Sequence, residues 1–421
     1  MIIHTNIWNK AIGVNNVTKY HLYFANPFIL NGVTWLFVWL LYNLGWSRLF
    51  PPLSEELTFF VIFTSIVSIC IGIATLKKHT ISFRPLKNPK HKPLVIWLVI
   101  FYLLFLIEAA VAGTVPLIGY ATGNVTIEYS EFGLPIIHVI IVNGISALCI
   151  YATYCLKSTS VKKDKFKFLV ICVFTFVPFF LMFNRGGIIA NIIGILILSL
   201  VTSKRPVRLL LKCMISLIVL LFLFGLAGNI RFGKSGMEKF AQVAKPSDTF
   251  TETHIPPEFL WSYIYIASPL ANTQNTITNS NWSQSDSEDA QNFVIYECTP
   301  EIISKRIAGE QEETNFANRA ILISSSFTVA SIYGRAYNYL GWTGLWLLFI
   351  FLLIFITINI KIIKKSSNYY FPMIVSVDII VVLNIFDNML TFMGLVPQVF
   401  IFFLLYLFSR LRKQNIRNFS N

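Results

Sequence analysis

Apolar residues come in long runs along most of this chain, separated by short polar connections and interrupted once by a long polar stretch. Runs of about 18 residues or more can cross the hydrocarbon core as helices. They fall at 28–50, 57–76, 94–113, 134–156, 166–183, 186–202, 208–229, 340–361, 371–392 and 395–411. The pattern predicts an all-α polytopic membrane protein of about ten transmembrane helices, because a helix satisfies its backbone polar groups where no water can. The exception is Asn229–Leu340, the one long polar segment. Within it, residues 259–271 are aromatic and amphipathic and predict a helix near the membrane interface, while the polar run 278–292 predicts a loop tip. The chain thus divides into a seven-helix bundle over 1–228, a large loop over 229–340 and a three-helix bundle over 341–421.

The charges give the orientation. Basic residues concentrate in connections retained in the cytoplasm. Of the 34 Lys and Arg, 24 lie in Lys10 and Lys19, in the alternate connections Lys77–Lys92, Lys157–Lys167, Lys204–Lys212 and Lys361–Lys365, or in the tail at Arg410, Arg412, Lys413 and Arg417. Asp164 is the only acidic residue among them, whereas the other connections carry Glu55, Glu56, Glu128 and Glu131. Both termini are therefore expected in the cytoplasm and the large loop outside it. The composition agrees: the chain is 55% hydrophobic and only 13% charged. Its net charge of +14 reads as topology, and nucleic acid is not an expected partner. Five of the six cysteines sit in or beside apolar runs and only Cys298 lies in the loop, so no disulfide framework is expected there. No paired Cys/His spacing suggests a metal, and no cofactor is expected.

A few polar residues stand out against this background. Glu108 falls in the outer third of the third run, where an ionisable group needs a polar pocket or an interhelical partner. In Phe132-Gly133-Leu134-Pro135-Ile136-Ile137-His138, Pro135 suits a first helical turn, which puts His138 one turn inside the membrane as either a packed or a reactive histidine. Arg185 in Asn184-Arg185-Gly186-Gly187 breaks the charge rule at a tight outer hairpin. A helix N-terminus with an arginine can hold an anion, or the arginine can simply snorkel. The loop holds 8 basic and 12 acidic residues between 230 and 340, so Arg231, Arg319 and Arg335 at its margins stand apart. Asp378 and Asp387 are nine positions apart, on opposite sides of a continuous helix. They cannot line one cavity unless that helix breaks, and Asp387, nearer the outer end, is the better candidate.

Taken in order, Val115-Pro116-Leu117, Phe132-Gly133-Leu134-Pro135 with His138, Asn184-Arg185-Gly186-Gly187, Arg231, Tyr265-Ile266-Ala267-Ser268-Pro269-Leu270-Ala271-Asn272 and Gly334 through Leu340-Gly341 to Gly344 resemble a Wzy-type oligosaccharide repeat unit polymerase. Such enzymes make O-antigen, a part of lipopolysaccharide, or capsular polysaccharide. The resemblance spans 115–344 and implies glycosyl transfer on the outer face of the cell inner (cytoplasmic) membrane. Donor and acceptor would be undecaprenyl-diphosphate-linked oligosaccharides, with membrane lipid around them and with a flippase and a chain-length regulator as partners. The chemistry needs cations for the departing diphosphate, for which Arg185, Arg231, Arg319 and Arg335 are the candidates because a guanidinium meets phosphate bidentately. It also needs a base for the acceptor hydroxyl, for which His138, His254, Glu252 and Glu258 are the candidates. The rival readings are a lipid-linked oligosaccharide flippase, which would favour arginines deep within repeated halves, and an O-antigen ligase, which would share the donor and topology.

Overall fold

The computed structural model describes residues 19–122, 132–231, 242–280, 286–308 and 320–420, with backbone alone at 19–20, 220–221, 223–231, 308, 413 and 415–420. Helix is the only extended secondary structure among them, and a single isolated bridge joins Ser47 to Pro246. In chain order the helices are α1 (Pro27–Tyr42), α2 (Glu55–Lys77), α3 (Lys92–Ala112), α4 (Pro116–Thr122), α5 (Pro135–Ser158), α6 (Lys162–Leu181), α7 (Arg185–Thr202) and α8 (Pro206–Arg231). The polar segment contributes α9 (Asp248–Glu252), α10 (Glu258–Asn279), α11 (Ser287–Glu297) and α12 (Glu301–Ala308). The chain closes with α13 (Gly334–Ile362), α14 (Tyr370–Leu383) and α15 (Val396–Ser420).

The protein is an all-α polytopic membrane protein. A helix lies in each of the ten apolar runs, and α2, α3, α5, α7 and α13 are long and apolar enough to cross a membrane. Two runs are shorter as helices than their hydropathy suggests. α1 stops at Tyr42, after 16 residues, rather than running to 50. At 1.5 Å per residue it reaches about 24 Å. Its end is set by Asn43, whose side chain bonds the Trp39 carbonyl at 2.7 Å, and by Gly45 in the left-handed region.

α14 likewise stops at Leu383, where hydropathy continues to 392. Residues 384–395 are turns because their Asn and Asp side chains bond nearby amides instead of leaving them to a helix. Asn384 Oδ1 accepts from Met389 N at 3.0 Å, Asp387 Oδ1 from Asn388 N at 2.7 Å, and Asn388 Oδ1 from Leu390 N at 3.2 Å. The freed carbonyls of Asn384 and Phe386 accept the amides of Ile332 and Ser331 at 3.0 and 2.9 Å. Irregular backbone between spanning helices persists only where other parts of the protein satisfy it. The break removes the continuous helix that set Asp378 opposite Asp387: Asp378 is fully buried in α14, while the Asp387 side chain is partly exposed in the turn.

The polar segment is packed onto one end of the bundle. Ser47 Oγ donates to Ala244 O at 2.6 Å, Ser247 Oγ to Gly45 O at 2.6 Å, and Arg48 pairs with Asp248. Tyr263 accepts from Trp46 N at 3.2 Å, and its ring sits 5.2 Å from that of Trp46. These contacts tie the start of α10 to the α1–α2 connection. The helix expected over 259–271 extends to Asn279, and most of it is buried. The side chains of its polar second half satisfy much of the coil at 320–331, whose backbone makes few bonds to other backbone. Asn272 Nδ2 donates to Phe327 O and Val329 O at 2.6 and 2.8 Å, and its Oδ1 accepts from Ile323 N at 2.8 Å. Thr273 Oγ1 donates to Ala330 O at 2.7 Å, and Thr276 Oγ1 accepts from Ile321 N at 2.9 Å. In the expected loop tip, Asp286 and Asp289 form a reciprocal capping box that starts α11, while 281–285 lie outside the described residues.

Candidate functional site

The Phe132–His138 stretch builds a paired acid and imidazole at this loop end of the bundle. Leu134 is the N-cap of α5 and Pro135 occupies its first turn. The capping amide of Leu134 donates to Glu108 Oε1 at 3.0 Å, and His138 Nδ1 meets Glu108 Oε2 at 3.2 Å. Glu108 comes from α3 and its side chain is fully enclosed, whereas that of His138 is 23% exposed. With Glu108 ionised, its oxygens only accept hydrogen bonds; Nδ1 is then the donor and the basic lone pair is on Nε2. Gly133 has φ +112, and a Cβ there would fall onto the His138 ring. Glycine is thus the residue that lets the chain turn over the imidazole. Phe132 covers the same ring edge-on at 6.0 Å. A buried carboxylate orienting a partly exposed imidazole is the arrangement a general base requires.

The turn at 384–395 gathers a second set of charged groups. Arg335, at the start of α13, donates through Nε to Glu297 Oε1 at 3.0 Å and lies 3.3 Å through NH2 from Asp387 Oδ1. Asn388 Nδ2 donates to both the carbonyl and Oε2 of Glu297 at 2.9 Å. Glu301 opens α12; its amide donates to Thr391 O at 3.1 Å and its Oε2 accepts from Met393 N at 3.2 Å. The Met393 carbonyl in turn accepts Asn143 Nδ2 of α5 at 2.8 Å. A chain of hydrogen bonds therefore runs from the helix that carries His138 through the turn to the helices of the polar segment. With two carboxylates on one guanidinium, the Arg335 fork is held by the protein. Glu297 and Glu301 escaped the sequence reading because neither sits in a motif or an apolar run.

Burial raises the Glu301 carboxyl above its ordinary value; the Met393 amide and Lys305 oppose the shift, Asp387 adds to it and Arg335 opposes it. For an acid whose folded pKa is raised, the neutral form is the one folding favours. Its contribution is fully present below the unfolded value of about 4.3 and is lost as pH rises through the folded value. Glu301→Gln, which mimics the neutral acid and keeps an acceptor for Met393, should therefore raise the melting temperature at pH 7.5. The difference from wild type should vanish at the acid end of the range, as read by thermal shift of the purified chain.

The remaining candidates are spread over the same end. Arg185 is the first residue of α7 and is exposed, with no ion-pair partner among the described residues. Asn184 caps the helix by accepting Gly187 N at 2.8 Å, and Phe183 beside it meets Tyr120 of α4 at 5.3 Å. Glu252 and His254 are exposed, His254 at φ 55, and Glu258 is half-buried at the start of α10. Among the described residues, no hydrogen bond or ion pair joins these three to His138 or to the Arg335 cluster. Arg231 ends α8 and only its backbone is described; Arg319 lies outside the described residues. Among the described residues no group of three or more His, Cys, Asp or Glu is placed to hold a metal ion.

No protein-family model matches this chain, and no curated protein or solved structure matches it significantly.

Proposed function

We propose that this protein is a Wzy-type polymerase that joins undecaprenyl-diphosphate-linked oligosaccharide repeat units on the outer face of the cytoplasmic membrane. The observation that carries the reading is the Glu108–His138 pair at the end of the bundle on which the polar segment is docked. His138 Nε2 takes the proton of the acceptor's non-reducing-end hydroxyl. The hydroxyl oxygen forms a new bond to the anomeric carbon of the donor's reducing-end sugar, and the bond from that carbon to the diphosphate breaks. The electron pair leaves with undecaprenyl diphosphate. Glu108 holds the ring and stabilises the imidazolium that forms, as a buried carboxylate does for a histidine base. Arg185, exposed at a helix N-terminus, is the described arginine free to receive the diphosphate. Arg335 acts differently: bound to Glu297 and Asp387, it fixes the polar segment to the bundle.

The test is a gel of surface polysaccharide from a strain lacking the gene. A polymerase deletion leaves one repeat unit on the final acceptor. A strain with no unit attached would instead indicate the ligase, and one with no unit exported the flippase. The outer placement of the site requires reporters at Lys87 and the C-terminus to be active only inside and one at Asp286 only outside; external activity at Lys87 would overturn it.

A further inference from the structure

At the other, basic end of the bundle, a polar cavity and an apolar groove lie next to each other along one face of α15. The cavity, about 570 Å³, is bounded by Lys364, Ser367, Tyr369, Ser409, Arg410 and Gln414, among others. The groove, about 460 Å³, runs between α3, α5 and α15 and includes Lys90, Trp97, Ala147, Phe402 and Leu405. Tyr369 lines both, and its ring stacks on Tyr151, a groove residue, at 5.6 Å. The positions 402, 406, 410 and 414 recur every four residues and so share one side of the helix. Along that side the lining passes from Phe402 through Tyr406 to Arg410 and Gln414.

No Asp or Glu lines either space, and neither Lys364 nor Arg410 has an ion-pair partner among the described residues. Lys365 beside them is engaged with the His79 carbonyl at 2.7 Å. The two free cations, with hydroxyls from Ser367 and Tyr406, suit a phosphate. Lys90 places a third positive charge at the mouth of the groove. An apolar slot that adjoins a cationic cavity at Tyr369 matches an amphiphile with an anionic head and a hydrocarbon tail.

We propose that this is a binding site for an anionic phospholipid of the cytoplasmic leaflet, with its phosphate between Lys364 and Arg410 and an acyl chain in the groove between α3, α5 and α15. The inference uses the inside placement of the basic end and is independent of glycosyl transfer. Basic pockets between membrane helices on this side recognise acidic headgroups in this way, and the groove gives the tail a fixed place.

The test is native mass spectrometry of the purified, delipidated full-length chain titrated with phosphatidylglycerol or with phosphatidylcholine of the same acyl chains. Phosphatidylglycerol should be retained on the order of tenfold more strongly. The double substitution Lys364→Gln, Arg410→Gln changes two exposed side chains and should bring it down to the phosphatidylcholine level. Ala147→Phe, which fills the groove, should lower retention of both lipids. Equal retention of the two lipids by the wild-type protein, or phosphatidylglycerol binding unchanged in the double variant, would overturn the headgroup site. Competition by inorganic phosphate at the same concentration as the lipid would overturn the groove. Displacement of phosphatidylglycerol by equimolar undecaprenyl phosphate would overturn the commitment to a phospholipid. Each result is read without a polymer assay, so it stands apart from the fate of the polymerase reading.

Discussion

His138→Ala should leave the protein in the membrane at normal abundance and reduce surface polysaccharide to single repeat units. The side chain is partly exposed at a helix start, and the Leu134 amide still bonds Glu108 in its absence. Loss of a general base commonly lowers a rate about 10²- to 10⁴-fold, which in a processive reaction removes the long products first. Glu108→Gln tests the same pair from its buried side. The amide keeps the size and can still accept from Leu134, but it removes the charge that holds the imidazole and stabilises its protonated form. The activity of Glu108→Gln should therefore fall by an intermediate factor. A polysaccharide ladder of normal length from His138→Ala, with protein level confirmed by immunoblot, would remove His138 from the mechanism. A purely packing role predicts unchanged activity in Glu108→Gln, because the amide keeps the size of the acid and its bond from Leu134 N.

The bundle was legible because hydropathy acts over whole runs, and a helix is present in all ten. The two short helices were also legible in principle: Asn43 with Gly45, and Asn384, Asp387 and Asn388, are residues whose side chains compete for backbone amides. Hydropathy averaged over a window hides such clusters. The polar segment was less legible, because its fold rests on side chains bonding distant backbone: Gln274 to Ser54, Asn272 to Phe327, Asn388 to Glu297. Such pairs have no period to detect. Glu108 and His138 were each visible as costly residues in successive apolar runs, at matching depth, and that shared depth was a usable signal for their pairing. Gly133 completes it, since only its positive φ brings the Leu134 amide and the His138 ring to one carboxylate. The Gly341 to Gly344 spacing also has a physical meaning: Gly341, at φ 56 and ψ −142, kinks α13. A Cβ on Gly344 would collide with the Ala336 carbonyl across that kink. Arg335 was visible as a charge, but its partners Glu297 and Asp387 lie in other segments, and they make it a fastening between polar segment and bundle.

Arg185→Ala should likewise leave the chain inserted and abundant while shortening or abolishing polymer, by a factor on the order of 10² to 10³ if it stabilises charge developing on the leaving diphosphate. Arg185 is exposed with no ion pair among the described residues, so its loss breaks no internal contact. Asn184 continues to cap α7 through Gly187 N, which keeps the helix start in place in the variant. Lysine separates the two roles an outer arginine can play. A side chain that only snorkels to the interface needs a charged tip on a flexible stem, and lysine supplies one as well as arginine does. A clamp on diphosphate needs a planar fork that meets two oxygens at once, and an ammonium keeps the charge while losing that geometry. Arg185→Lys should therefore recover only part of the chain length lost in Arg185→Ala, at equal protein level by immunoblot of the membrane fraction. Full-length polysaccharide from Arg185→Ala would exclude this residue from the diphosphate site. Full recovery by lysine would assign it to the membrane interface, leaving the leaving-group cation to be sought at Arg231 or Arg319.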